Sequence, residues 1–187
     1  KRAKKDNQSL VLPHLTGSFT FEKTANKSLG HALGPLCVLF FLGYNEKSPE
    51  VLFLKSFFQS YIALKQLCDD LHDWQQDLCI GNITPVISLL LQDYASKKNQ
   101  KIQLLYLDTD MAQLQELFWF ETLEKIVIQG NIFAKKAREH LKANSIIEFP
   151  QILEKLLLPL ETSLEEVKAE QIRMIEFLES YEKYVQK

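Results

Sequence analysis

Asp69, Asp70, Asp73 and Asp77 fall within nine residues of a helix-periodic stretch that reads Gln66-Leu-Cys-Asp-Asp-Leu-His-Asp-Trp-Gln-Gln-Asp77. At ~100° per residue the four share an arc of about 100° on one helix. Like charges at i,i+4 destabilise an isolated helix by a few tenths of a kcal/mol per pair. Acidic rungs at 69, 73 and 77, with no Lys or Arg between Lys65 and Lys97, therefore call for a reason other than helix formation. Hard oxygen ligands at this spacing suit Mg²⁺, which takes one or two protein carboxylates and fills its octahedron with water and phosphate oxygens. Phe58, Ile62 and Gln66 precede the acids on the same arc. The combined stripe is read as the wall of a pocket with a charged mouth and an apolar floor. A plain solvated face would instead continue with alternating Lys and Glu.

The chain that positions these residues has 187 amino acids, 46% of them hydrophobic and 11% aromatic, enough for a core and too apolar for global disorder. Six glycines and six prolines are few for this length, and the dominance of Leu, Glu, Gln and Lys points to an all-α protein. A net charge of −2 argues against a nucleic-acid footprint. Cys37, Cys68 and Cys79 are odd in number and lack CxxC spacing, which suggests reduced thiols in a cytoplasmic protein, and no Cys/His set has the ligand spacing that would favour zinc. The most apolar stretch, His31 to Tyr44, is too short to span a bilayer and is broken by Gly34-Pro35. It is read as a buried helix, and the chain as not an integral membrane protein.

Residues 1–17 are polar and carry Pro13 and Gly17, so a tail or loop is expected there, followed by one helical bundle domain over 18–187. Ser18 or Thr20 could cap a helix running to about Leu42, with Gly43 as its stop. Ser48-Pro49 opens the aspartate helix, Gly81-Asn82 ends it, and Thr84-Pro85 opens the next, to about Lys97. Lys101 to Leu107 is read as a short helix or irregular segment. A long pattern follows from Asp108 or Asp110, whose acids suit a helix cap, to about Ala143. Ser145 then caps a final helix or pair of helices, with Pro150 in a first turn and Pro159 kinking or dividing the pattern. Five or six long helices make an antiparallel bundle the natural architecture.

From Glu22 to Pro85 the chain resembles the second half of the trans-isoprenyl diphosphate synthases. The matching pieces are Lys23-Thr24, the small-residue helix from Gly30 to Gly43, Gln66, the Asp69-Asp70-x-x-Asp73 motif and Gly81-Asn-Ile-Thr84-Pro85. The i, i+4, i+8 set Asp69, Asp73 and Asp77 also resembles the second metal motif of class I terpene and squalene synthases. The resemblance covers about a third of the chain. It implies the antiparallel bundle of the terpenoid-synthase type, with Asp69, Asp73 and Asp77 holding Mg²⁺ and Asp70 assisting. It also implies a prenyl diphosphate substrate whose allylic diphosphate ionises before condensation or cyclisation in an apolar cavity lined by Phe58 and Ile62. Lys23, with Lys27 and His31 on its face, would donate to the diphosphate, and Arg173, Lys183 and Tyr184 would approach from the C-terminal helix.

The family's first aspartate-rich motif has no counterpart here: Asp6 stands alone, and the basic pair that accompanies that motif is missing. The site and the bundle are therefore expected to be incomplete in this chain, and to be finished by an upstream segment or a second subunit. An exposed strip at Phe58, Ile62 and part of Phe118–Phe120 is expected to be covered in that way. The same gap supports the alternative of a non-catalytic helical module that binds a lipid or a partner. Trp74 is expected to pack between helices, and His72 to lie away from the acids.

Overall fold

Ser48, Pro49 and Gly81 set the ends of the longest helix, α3 (Pro49–Cys79). Pro49 sits in the first turn, where its missing N–H costs nothing. Gly81 stops the helix with φ +76°, a conformation that other residues adopt only with strain. The structure, a computed structural model, describes residues 3–6, 9–12, 21–143 and 150–185. The expected caps at Ser18, Thr20 and Ser145 lie outside those residues.

Ahead of α3 come α1 (Phe21–Lys27), a 3₁₀ turn (Leu29–Ala32) and α2 (Leu33–Phe41), so the first expected helix is divided. After it, Thr84 caps α4 (Pro85–Lys97) by accepting from the Ile87 N–H. Next come α5 (Leu107–Leu117), a π-helical turn (Phe118–Thr122), α6 (Leu123–Lys142), α7 (Pro150–Glu154) and α8 (Leu158–Val185). Asp110 closes the start of α5, where its Oδ2 accepts from the Tyr106 N–H at 2.8 Å. Pro159 falls in the first turn of α8, so it divides the pattern and does not kink it.

Three short strands correct the expected tail and the expected irregular 101–107 segment. β1 (Lys4–Asp6), β2 (Ser9–Val11) and β3 (Leu104–Tyr106) form an antiparallel sheet in that order. Leu10 faces Leu105 across the β2–β3 ladder, and both are fully buried, which fixes the register. The Ala3 N–H donates to the Gly81 carbonyl at 2.8 Å, and so ties the front of the chain to the α3–α4 corner.

The fold is otherwise all-α and centred on α3. Its most extensive partner is α6. Trp74 of α3 stacks on Phe118 just before α6, with ring centroids 4.7 Å apart, while Ser56 and Ala63 share the lining of a cleft with Phe133 and His140 near its far end; the two helices are antiparallel. α8 is antiparallel to α6, because Glu161 pairs with Arg138, Leu164 lies against Gly130 and Gln171 donates to the Trp119 carbonyl. Among the described residues no helix is long and apolar enough to cross a membrane.

Two burial expectations are overturned. Phe58 and Ile62 are only 7% and 4% exposed, because this chain's own helices cover them. Water instead reaches α2, read from its sequence as a buried helix: only Leu36 and Leu39 of its nine residues are buried. In the aromatic cluster, Phe118 is buried and Phe120 exposed.

Candidate functional site

One face of α3 carries Ser56, Gln59, Ala63, Gln66, Asp70, Asp73 and Asp77. Spacings of three and four residues keep these seven within about 100° of arc over six turns. α1 lies along this face. Asn26 hydrogen-bonds Gln59, and Ser28 Oγ accepts from Gln66 Nε2 at 2.6 Å. At the N-terminal end of the stripe, Ser56, Gln59 and Ala63 help line a cleft of about 430 Å³ with Glu22, Glu139 and His140. Lys136 borders it too, with Nζ 6.0 Å from the centre of the Phe133 ring.

At the other end the aspartates differ in environment. Asp70 is half-buried, and burial pushes its carboxyl up to about 7. The charges of Asp73 and Asp77 push the same way, and the Thr84 hydroxyl pulls back by hydrogen bonding. Thr84 is fixed by its role as the α4 cap, so the loop between the two helices aims this donor. Asp70 Oδ2 and Gln66 Oε1 are buried without a hydrogen-bond partner. Asp73 is raised above the usual carboxylate range, by desolvation first and then by Asp77. Asp77 accepts from Asn82 Nδ2 at 2.9 Å.

Asp69 is set apart. It lies roughly 100° around the helix from Asp70, its side chain is 59% exposed, and Lys65 pairs with it at 2.7 Å. That hydrogen bond holds the Lys65 ammonium above its ordinary value. An exposed i,i+4 pair of this kind contributes a few tenths of a kcal/mol. Asp69 and Asp70 thus mark the two edges of the acidic face, Asp69 the wet edge and Asp70 the half-buried one.

Among the described residues the expected cations are all exposed. Lys23 and Lys27 are exposed on α1, on the side away from the buried Ala25. His31 is exposed on the 3₁₀ turn. Arg173 is not brought to the aspartates. It is exposed on α8, and α8 meets α3 through Cys68 Sγ to the Leu160 carbonyl and His72 Nε2 to Ser163 Oγ. Cys68 and His72 lie roughly opposite Asp70 around α3, so α3 stands between Arg173 and the acids. The side chains of Lys183 and Tyr184 lie outside the described residues. Phe58 and Ile62 are core residues on the Asp69 side of the stripe, Ile62 next to its edge and Phe58 farther round. Ser56, Gln59 and Ala63 are the members of the stripe that sequence reasoning missed, although the three-and-four spacing from Ser56 to Asp77 was there to be counted.

The donor set fits a hard divalent cation in its chemistry. It offers carboxylates and an amide carbonyl, and a buried oxygen of Asp70 has no other partner. Among the described residues, however, no three His, Cys, Asp or Glu side chains converge on one point; the acids form a row. No protein-family model, curated protein or solved structure matches the chain.

Proposed function

We propose that the α3 stripe is the diphosphate-facing wall of an isoprenoid-synthase-like protein, with Asp70, Asp73 and Asp77 holding Mg²⁺ against a prenyl diphosphate. The observation that carries this is the half-buried Asp70 carboxylate, one of whose oxygens has no donor although it stands in a row of acids. Magnesium, when bound, neutralises a diphosphate and eases its departure from an allylic carbon, ahead of condensation or cyclisation. The chain's own residues prepare that role. Thr84 bonds the Asp70 carboxyl, one oxygen of which stays buried without a donor, Asn82 orients Asp77, and Ser28 holds the Gln66 amide. A row of acids suits ions whose coordination is completed by water and substrate oxygens. The cations facing the diphosphate, and the first aspartate motif, would come from an upstream segment or a second subunit.

A second reading, a non-catalytic helical module that binds a lipid or partner, is favoured by the packing of Phe58 and Ile62. The floor expected for a hydrocarbon tail is core, and the cleft at the other end of the stripe is lined largely by polar side chains.

Calorimetric titration with inorganic diphosphate, with and without Mg²⁺, tests the site. Binding that requires Mg²⁺ and falls at least tenfold in Asp70→Asn and Asp73→Asn, with helicity unchanged, is the expected result. Magnesium-independent binding, or binding that both variants retain, would overturn it. Turnover of an allylic prenyl diphosphate then separates the enzyme from the module.

A further inference from the structure

α2 leaves most of its surface in water, and that surface is apolar. Leu33, Val38, Phe40, Phe41 and Leu42 are 61%, 57%, 45%, 92% and 66% exposed. No Asp, Glu, Lys or Arg occurs between Lys27 and Glu46. At ~200 Å² for a whole aromatic side chain, these five expose roughly 600 Å², the top of the range for the largest patch on a soluble monomer. Val38 and Phe41 lie along the middle of this surface and Leu33, Phe40 and Leu42 on its flanks, so two such surfaces facing each other would bury at most about 1,200 Å², the lower bound of a stable specific interface.

The sequence of the face is self-complementary. Gly34, Cys37, Val38 and Phe41 follow one another at spacings of three, one and three along its middle. A two-fold axis between Cys37 and Val38 sets Phe41 of one copy over Gly34 of the other, and Cys37 beside Val38. Gly34 offers a seat, since a Cβ built there would meet nothing within 4 Å. Phe41 offers the matching knob. We propose that α2 pairs antiparallel with α2 of a second copy of this chain, in an isologous dimer with Phe41 seated on Gly34. Antiparallel helices also set opposite dipole ends side by side. A lipid surface is the poorer occupant, because helices that lie in a bilayer interface carry Lys and Arg on their outer face and α2 has none. This pairing does not depend on the aspartate stripe.

Sedimentation equilibrium of the chain should show a dimer at micromolar concentration. Phe41→Glu should weaken it at least a hundredfold, and Gly34→Leu at least tenfold. Neither change touches the core, so the helix content read by circular dichroism should be unaltered. A short bismaleimide should cross-link the dimer through Cys37, which is exposed, and fail in Cys37→Ser. A monomer at every concentration would overturn the pairing, as would a dimer indifferent to Phe41→Glu or one not cross-linked through Cys37. Phe41-dependent binding of a monomeric chain to phosphatidylcholine vesicles would assign α2 to a lipid surface instead.

Discussion

Gln66 and Asp70 stand one turn apart on the same face of α3, and each has one buried side-chain oxygen that no donor reaches. An uncompensated buried carboxylate is destabilising. Its acidity here has a definite sign: the Asp70 carboxyl is raised to about 7 in the folded chain from an ordinary 3.8. The stabilisation from the protonated form is fully present below about pH 4 and is lost as pH rises through 7. At ~1.4 kcal/mol per unit, discounted for partial exposure, on the order of 2 kcal/mol is at stake. Asp70→Asn should therefore melt several degrees higher than the parent at pH 8, with the gap closing toward pH 4. Melting curves from pH 4 to 8, without divalent ions, measure it; an Asn variant that gains nothing at pH 8 would show Asp70 to be satisfied.

The offset between Asp69 and Asp70 separates two versions of the acidic face. The family-like motif begins at Asp69, whereas the structure half-buries Asp70 and gives Asp69 to Lys65. Asp69→Ala should change magnesium-dependent diphosphate affinity by no more than about threefold, the size of a weak exposed pair. Asp70→Ala should cost tenfold or more. Equal losses from the two, read by the same titration, would make Asp69 an equal part of the site.

Helix ends were legible because they depend on local chemistry. Ser48-Pro49, Gly81 and Thr84-Pro85 mark termini by N–H economy and positive φ, and the boundaries of α3 and α4 fall where those residues put them. The strands were not legible. Three-residue segments carry no alternation to read, and β2 pairs with β3 more than ninety residues away. The facing of α3 was half legible. Four acids on a 100° arc do not say which edge is wet, and Phe58 and Ile62 fit one edge while Gln59 and Ala63 fit the other. Lys65, four residues before Asp69, was the signal that this edge meets solvent. α2 failed for a simpler reason: apolar composition all around a helix says that something covers it, but not that the cover belongs to the same chain.

Thiol reactivity should follow burial. Desolvation pushes the Cys68 thiol up to about 11, with Asp69 adding to the effect, and its Sγ–H donates to the Leu160 carbonyl at 3.5 Å. The thiolate is the nucleophile, so Cys68 should be inert at pH 8 until the chain unfolds. Cys37 is exposed on α2 and should be the fastest to alkylate when α2 is not paired. Peptide mapping after a brief iodoacetamide pulse reads the order; early modification of Cys68 would mean that α8 does not stay docked on α3.

The α6–α8 contact depends on a missing side chain. Gly130 is buried in the middle of α6, and a Cβ built on it would lie 2.5 Å from Leu164 Cδ1 and 3.3 Å from Cδ2. Helix propensity alone would favour alanine there by about 1 kcal/mol. Leu164 is only 1% exposed and has little room to turn aside, and overpacking of this kind costs about 1–3 kcal/mol. The steric cost should win, so Gly130→Ala should lower stability by roughly 1–2 kcal/mol in urea unfolding. Leu164→Ala alone should cost about 2–5 kcal/mol through the cavity it leaves. In the double variant the new methyl enters that cavity, so the combined loss should fall at least about 1 kcal/mol short of the sum of the two. Strict additivity would show that Gly130 and Leu164 do not meet and that α8 docks on α6 in another register.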